Sequence, residues 1–335
     1  MALLSVRDLR TWFHGGSTVS RPVDGVSFEI EAGQTVGLIG ESGCGKSLTA
    51  LSILGLIDPP GRIEQGSEIV FEGQDLVGLS ERDLEEVRGQ GIGMIFQEPM
   101  TSLNPVYPVG AQIAEAVLAH RRVGRRSAWE RAVEMLRIVG IAAPEQRASS
   151  YPHELSGGMR QRVMIATALA CEPRLLIADE PTTALDVTIQ AQIISLMAEL
   201  QERLGMAILL ITHDIGVIAQ VADEVAVMYA GRIVEQGSAA TVLDGPEHPY
   251  TEALLASVPI LGTRADTGAL RVIPGTVPSP LAWPSGCRFR ARCEHAFGRC
   301  AEEEPALLPA GGQAAACWLC ESGSRHATAG ERHVV

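Results

Sequence analysis

The sequence contains no apolar run approaching the length needed to cross a bilayer, and no N-terminal stretch joining basic residues, an apolar core and a small-residue cleavage site. Neither a membrane-spanning nor an exported chain is expected, and the starting expectation is a cytosolic protein. Net positive charge is also lacking: 27 Lys and Arg against 40 Asp and Glu leave a formal charge of −13. A protein that neutralises many nucleic-acid phosphates needs a broad basic surface, so no nucleic-acid partner is expected. Cysteine is sparse and unevenly placed. Cys44 and Cys171 stand alone, five more crowd between Cys287 and Cys320, and the total of seven is odd. In a reducing compartment such a crowd points to metal before disulfides.

What is present is enough for one large domain plus an extra module, since 46% of 335 residues are hydrophobic. The octapeptide Gly40-Glu41-Ser42-Gly43-Cys44-Gly45-Lys46-Ser47 fits the phosphate-cradling pattern G-x-x-x-x-G-K-[ST]. Val36 to Ile39 before it reads as a short buried strand, and Leu48 to Ile57 after it as an apolar segment able to continue as a helix. Gly40, Gly43 and Gly45 let the backbone turn tightly, so that successive N–H groups and the helix N-terminus face phosphates. Lys46 then reaches the outer phosphates and the Ser47 hydroxyl ligates Mg²⁺. Taken alone, the same residues describe a glycine-rich turn.

Residues 3 to 30 alternate apolar and polar positions and are expected as an antiparallel β layer. Trp12 and Phe13 sit side by side there, either as an adenine-stacking aromatic or as half-buried strand residues. Glu68 to Phe71 and Gly91 to Phe96 are further strand candidates, and Gln97 follows the second directly. From Pro99 to about Ala170 the pattern is helical, an inserted subdomain whose basic stretch Arg121 to Arg126 reads as a solvated face. Leu175 to Ala178 and Ala207 to Ile211 are buried strands with polar residues at their C-terminal ends, where parallel α/β sheets bind ligands. An amphipathic helix, Thr188 to Arg203, lies between them. After Gly245 the texture turns proline-rich (Pro246, Pro249, Pro259, Pro274, Pro278, Pro280, Pro284), which suggests a separate appended module, with 322–335 expected as a disordered tail.

Asp179 and Glu180 end an apolar strand, so two carboxylates are expected beside the phosphates: Asp179 holding Mg²⁺ through its water shell, Glu180 polarising the attacking water as general base. In Leu155-Ser156-Gly157-Gly158-Met159-Arg160-Gln161-Arg162, Ser156 is a good N-cap and the glycines leave the amides of a helix start open to an anion. Two phosphate-binding devices are redundant for one site but sensible if the second completes the site of another subunit.

At this point the chain resembles a known family. Gly40 to Ser47, Gln97, Leu155 to Gln161, Leu175 to Glu180, Ala184-Leu185-Asp186 and His213 match, in order, the Walker A, Q-loop, signature, Walker B, D-loop and H-loop of ABC transporter ATPases, over roughly the first 245 residues. The resemblance implies an α/β P-loop NTPase with a RecA-like core, an antiparallel β subdomain and an inserted helical subdomain at about 100–170. It also implies a head-to-tail pair of ATPase subunits with ATP at the interface. Each ATP would be held by one subunit's Gly40, Ser42, Gly43, Cys44, Gly45, Lys46, Ser47 and Leu48 and by the other's Ser156, Gly157, Gly158 and Gln161. Carried over by position, Phe13 stacks on adenine, His213 contacts the γ-phosphate, Gln97 joins Ser47 and Asp179 at Mg²⁺ and reports to membrane subunits, and Asp186 crosses the interface. Cys44 stands where many relatives carry Ser, and is read as a small residue whose amide matters more than its thiol.

Gly245 to Thr251, Ile273 to Pro280 and Gly286 to Cys293 resemble the C-terminal extension of oligopeptide/dipeptide (and nickel) importer ATPases. A Cys-rich module at 246–321 following an ATPase at 1–245 is therefore expected, together with two transmembrane permease subunits, an extracytoplasmic substrate-binding protein and a second, related ATPase, all placing the chain at the cytoplasmic face of the membrane. Nickel import, and a soluble ABC ATPase acting on nucleic acid or ribosomes, are the other readings; the second predicts paired cassettes, a coiled-coil insertion or basic arms, and none is visible. Cys287, Cys293, Cys300 and Cys317 follow the spacing C-x₅-C-x₆-C-x₁₆-C, which suits zinc or an iron–sulfur cluster without choosing between them. The resemblance favours a [4Fe–4S] cluster with Cys317 as fourth ligand, and Cys320 stands as the alternative.

Overall fold

The computed structural model describes residues 2–97, 102–183, 185–257 and 273–321. Pro99, Ala184, Pro259 and the expected tail at 322–335 lie outside the described residues. Two compact units make up the chain, one of Met1–Leu3, Ile30–Thr35 and Gly78–Ile211, the other of Leu4–Glu29, Val36–Val77 and Thr212–Val335.

The second unit opens with β1 (Leu4–Gly15), β2 (Thr18–Ile30), β3 (Thr35–Ile39), α1 (Lys46–Ile53), β4 (Gly61–Ile63), β5 (Glu68–Phe71) and β6 (Gln74–Asp75). β1 is the centre of a five-stranded sheet in the order β2-β1-β5-β6, with β4 also on β1. Its pairings with β4 and β5 are antiparallel, as the alternating pattern predicts. β3 is buried at all five positions, as the run Val36–Ile39 leads one to expect of a strand covered on both faces. α1 starts two residues earlier than the sequence suggests and stops at Ile53, ahead of Gly55 in the left-handed region.

The first unit carries α2 (Glu81–Val87), β7 (Ile92–Ile95), α3 (Val109–His120), α4 (Arg125–Ile138), the short α5 (Pro144–Arg147), α6 (Gly157–Leu169), β8 (Leu175–Asp179), α7 (Val187–Leu204) and β9 (Ala207–Thr212). β7, β8 and β9 run parallel, with Ile92 opposite Leu175 and Leu175 opposite Ala207. α6 lies so close to β7 that a Cβ on Gly93 would stand 2.6 Å from the Ala168 carbonyl oxygen. α7 extends one residue beyond the expected helix at each end, capped by Asp186 and closed by Gly205 at φ +64°.

The second unit resumes with α8 (Ile215–Val221), β10 (Glu224–Tyr229), β11 (Arg232–Ser238), α9 (Ala239–Asp244), α10 (Pro249–Ala256), α11 (Gly298–Glu302), β12 (Leu308–Ala310) and β13 (Gln313–Ala315). β10 lies parallel to β3 and antiparallel to β11, and the β12–β13 hairpin adds to the free edge of β11 through Glu235 opposite Ala315. The change of texture at Gly245 therefore does not mark a break between units. Glu235 shows why: its buried carboxylate accepts from the N–H groups of Glu247 (2.5 Å) and His248 (3.1 Å) and from Gln313 Nε2 (2.7 Å), tying three stretches of chain to one point. Arg288 reaches back in the same way, donating to Asp24 and, at 2.6 Å, to the Ala230 carbonyl oxygen. Among the described residues, no helix is long and apolar enough to cross a membrane.

Candidate nucleotide site

In the second unit the loop from Gly40 to Gly45 joins β3 to α1. Gly40 has φ +153°, and a Cβ there would stand 2.1 Å from the Met228 carbonyl oxygen. Gly45, at φ +110°, caps α1 without a side chain, and a Cβ on it would stand 2.4 Å from the Pro22 carbonyl oxygen. Both positions therefore require glycine, and the first N–H groups of α1 meet no side-chain cap, the condition under which a helix start receives an anion. Ser42 and Gly43 are exposed, Ser47 and Leu48 half-buried. The Lys46 ammonium is buried and donates to the carbonyl oxygens of Gly40 (2.7 Å) and Glu41 (3.1 Å), so the cation is held over the loop it serves. Cys44 is fully buried, and burial pushes its thiol up against the opposing pull of Lys46. A thiol in that setting is a poor nucleophile.

Phe13 and Trp12 occupy successive positions of β1 and so face opposite sides of the sheet. Phe13 is opposite Gly61 of β4, and its ring fills the space where a Cβ on Gly61 would stand. Trp12 lies under the Arg21 guanidinium, 4.6 Å from its ring centroid. His213 follows β9 directly and is exposed.

In the first unit, Asp179 is the buried last residue of β8, and Glu180 leaves the strand at φ +46° with its N–H donating to the Ile211 carbonyl oxygen at 2.8 Å. A non-glycine residue held there is strained, and strain of this kind concentrates at functional sites. The Glu180 carboxylate does not swing freely: its Oε2 accepts from Gln97 Nε2 at 3.1 Å and from Thr183 Oγ1 at 2.8 Å. Gln97, expected at Mg²⁺, is thus placed against Glu180. Thr183 passed unnoticed in the sequence; its position three residues after the carboxylate was the available signal.

Ser156 is the N-cap of α6, its hydroxyl accepting from the Met159 N–H at 3.3 Å, and Gly157 and Gly158 are the first two helical residues. A Cβ on Gly158 would press on Ile189 at 2.9 Å, so this glycine serves packing, whereas one on Gly157 would touch only Leu185, at 3.8 Å. Gln161 is buried and donates to the Pro181 carbonyl oxygen, which links α6 to the stretch following Glu180. Asp186, expected to reach across to another subunit, is exposed and accepts from the Ile189 N–H at 3.0 Å as N-cap of α7.

None of the seven cysteines is in a disulfide. Burial pushes the Cys287 thiol up to about 11, aided by the proximity of Cys300, Cys317 and Cys293. Yet among the described residues no group of three or more His, Cys, Asp or Glu side chains is gathered to hold a metal ion. Cys320 is buried, with its Sγ donating to the Glu247 carbonyl oxygen at 3.6 Å and carboxylate at 3.7 Å. Cys287, Cys293, Cys300 and Cys317 are less buried.

A family model for the ABC transporter matches residues 23–183, and one for the oligopeptide/dipeptide transporter C-terminal region matches residues 234–300. The chain is 56% identical over 317 residues to a probable peptide ABC transporter ATP-binding protein of Sinorhizobium fredii, covering 94% of each chain. It is 50% identical over 307 residues to the dipeptide transport ATP-binding protein of Escherichia coli, covering 92% of this chain and 93% of that one. A dimeric ATP-binding cassette solved in a post-hydrolysis state with ADP and Pi superposes with a TM-score of 0.63 at 26% identity, covering 70% of this chain and 98% of the other.

Proposed function

Because the chain belongs to the ABC transporter ATPase family, in the branch that carries the oligopeptide/dipeptide transporter C-terminal region, we propose that it is the ATP-hydrolysing subunit of a peptide importer. The observation that carries the catalytic reading is Glu180, a strained carboxylate fixed by Gln97 and Thr183. As general base it would take the proton of the attacking water while Lys46 and the α1 amides hold the phosphates. Ser47, Asp179 and Gln97 are oxygen donors of the kind Mg²⁺ takes, and the ion, when bound, neutralises charge developing on the phosphates. His213 would contact the γ-phosphate, and Phe13, rather than the Arg21-covered Trp12, would stack on adenine.

The exposed start of α6, with Ser156, Gly157 and Gly158, would complete the ATP site of a second, related ATPase subunit, with Asp186 at the same junction. The dimeric cassette among the structural relatives supports such a pairing. In this reading residues 1–245 form the ATPase domain, with its helical part at about 100–170, and 246–321 form the peptide-transporter module. Two permease subunits and an extracytoplasmic binding protein would handle the solute, with this chain peripheral at the cytoplasmic face. Glu180→Gln is expected to bind ATP, to trap a closed pair and scarcely to hydrolyse; near-normal turnover would remove Glu180 from the role of base. Co-purification of the whole complex and ATPase assays with di- and oligopeptides test the substrate, and stimulation by nickel alone would replace peptide with nickel.

The Cys-rich segment is read as the seat of a [4Fe–4S] cluster on Cys287, Cys293, Cys300 and Cys317. One zinc ion would draw four sulfurs to roughly 3.8 Å of one another, from a Zn–S distance of about 2.3 Å. A cluster binds each thiolate at a different corner and accepts a wider spread. Three thiols, Cys300, Cys317 and Cys293, lie near enough to Cys287 to raise it, which supports a shared ligand set, and the choice of a cluster over zinc rests on the likeness of this segment to the peptide-transporter C-terminal region. Cys320, turned to Glu247, is the weaker candidate. Iron and acid-labile sulfide in anaerobically purified protein, lost in Cys317→Ser and kept in Cys320→Ser, is the expected result; stoichiometric zinc in colourless protein would sink it.

A further inference from the structure

Arg292 belongs to the C-terminal segment, yet its guanidinium ends on the phosphate loop. Its side chain is 5% exposed and grips Glu41 with two parallel bonds, Nη1 to Oε2 at 2.6 Å and Nη2 to Oε1 at 2.9 Å. The other donors are used as well: Nε on the Pro274 carbonyl oxygen at 2.8 Å, with Nη2 near that of Ile273 and Nη1 near the Tyr229 hydroxyl, each at 3.4 Å. Glu41 is in turn fixed along its backbone, its N–H donating to the Tyr250 hydroxyl at 2.8 Å and its carbonyl oxygen accepting from Lys46 at 3.1 Å. Glu41 is also the single carboxylate in Gly40–Ser47. A bare carboxylate in a loop that must receive a triphosphate is adverse, because like charges repel strongly where water is scarce. A buried guanidinium bound to both its oxygens removes that repulsion and fixes the loop at once.

We propose that Arg292 is a positioning residue for ATP binding, acting through Glu41: it holds the first half of the phosphate loop in shape and neutralises the loop's own negative charge. This rests on the reading of Gly40–Ser47 as the ATP loop. Lysine is a poor substitute, because an ammonium cannot reproduce the planar two-bond grip.

The test is steady-state ATPase kinetics of the full chain in its transporter complex, with a fluorescent ATP analogue titrated onto each variant. Arg292→Met is expected to raise KM for ATP and the analogue Kd about tenfold, equivalent to about 1.4 kcal/mol, while kcat at saturating ATP changes less than about twofold. Adding Glu41→Gln to Arg292→Met is expected to recover most of the affinity, since it removes the carboxylate left unpaired. An arginine that merely anchored the segment around Cys293 would show no such rescue. An unchanged KM in Arg292→Met, or a double variant no better than the single one, overturns the proposal. If Arg292→Met does not accumulate as folded protein, Arg292→Lys carries the test, with an expected KM increase of about threefold from the lost second bond and an unchanged KM as the refuting result. Wild-type protein that bound no analogue would instead refute the ATP reading itself.

Discussion

Replacing Glu180 by alanine and by glycine isolates the strain at the end of β8. Both variants delete the carboxylate and with it the bonds from Gln97 and Thr183, so they differ from each other only by a Cβ. Glu180 sits at φ +46°, clamped by its N–H on the Ile211 carbonyl oxygen at 2.8 Å. Holding an L-residue in that region costs about 1–2 kcal/mol. Glycine escapes this cost but loses more chain entropy on folding, which returns about 0.5–1 kcal/mol. The glycine variant is therefore expected to be the more stable, by about 0.7 kcal/mol at the middle of a range of about 0–1.5 kcal/mol, the reverse of the order at a helical position. Urea denaturation midpoints of the two proteins measure the difference, and single-turnover assays are expected to find neither hydrolysing ATP above trace rates. An alanine variant more stable than the glycine variant by about 0.5–1 kcal/mol, the order at an unstrained position, would refute the claim that strain is stored at this carboxylate.

The phosphate loop and the helical part of the first unit give further tests. Gly40→Ala places a Cβ 2.1 Å from the Met228 carbonyl oxygen at a φ that alanine resists, so ATP-analogue affinity is expected to fall by at least about tenfold; near-wild-type affinity would show that the loop yields easily. Glu172 is bonded to Arg121 (3.1 Å) and Arg131 (2.8 Å), and the first of these contacts leads in holding its carboxyl below the usual carboxylate range. A lowered folded pKa contributes stability above the unfolded value that is lost as pH falls through the folded one. Wild type should therefore exceed Glu172→Gln in Tm at pH 7 and lose that lead in acid; because the carboxylate is half exposed, the lead is worth about 0.5–1 kcal/mol at most. A lead that grows in acid would contradict the assignment.

The parts of the site that were legible in the sequence are those whose chemistry and local geometry coincide. Gly40, Gly45, Lys46 and Ser47 dictate a turn and a helix start by their own conformational needs, and the apolar run Leu175–Ala178 dictates a buried strand with carboxylates at its end. Ser156 announced α6 because an N-cap side chain is a local device. Long-range pairings left no such mark. β10 and β11 are of this kind: Val225–Tyr229 is a short buried apolar run, and its place beside β3 is set by a pairing almost 190 positions away in sequence, Val225 with Gly37. The β12–β13 hairpin contains Pro309, and turn-rich composition does not reveal that its edge pairs with β11. Proline texture after Gly245 marks how the chain turns, not whether it folds alone. Asp186 shows the converse limit, since one side chain in a recognised motif is also a plain helix cap.

Three acidic residues of the earlier chain, Asp24, Glu41 and Glu235, meet partners from the later chain: Arg288, Arg292, and the group of Glu247, His248 and Gln313. Two of these, Asp24–Arg288 and Glu41–Arg292, are ion pairs; replacing pairs of this kind by well-packed apolar residues is often neutral or stabilising, so their worth is not simply stability. Breaking a pair from one side is costly, because the remaining charge is left without compensation. Each contact therefore makes the acidic residue depend on a particular stretch beyond residue 245. Glu41 makes that dependence functional, since it stands in the loop that is read as holding ATP. The proline-rich segment is on these grounds an electrostatic component of the nucleotide-binding unit, and the phosphate loop is incomplete without residues that follow it by 251 positions in sequence.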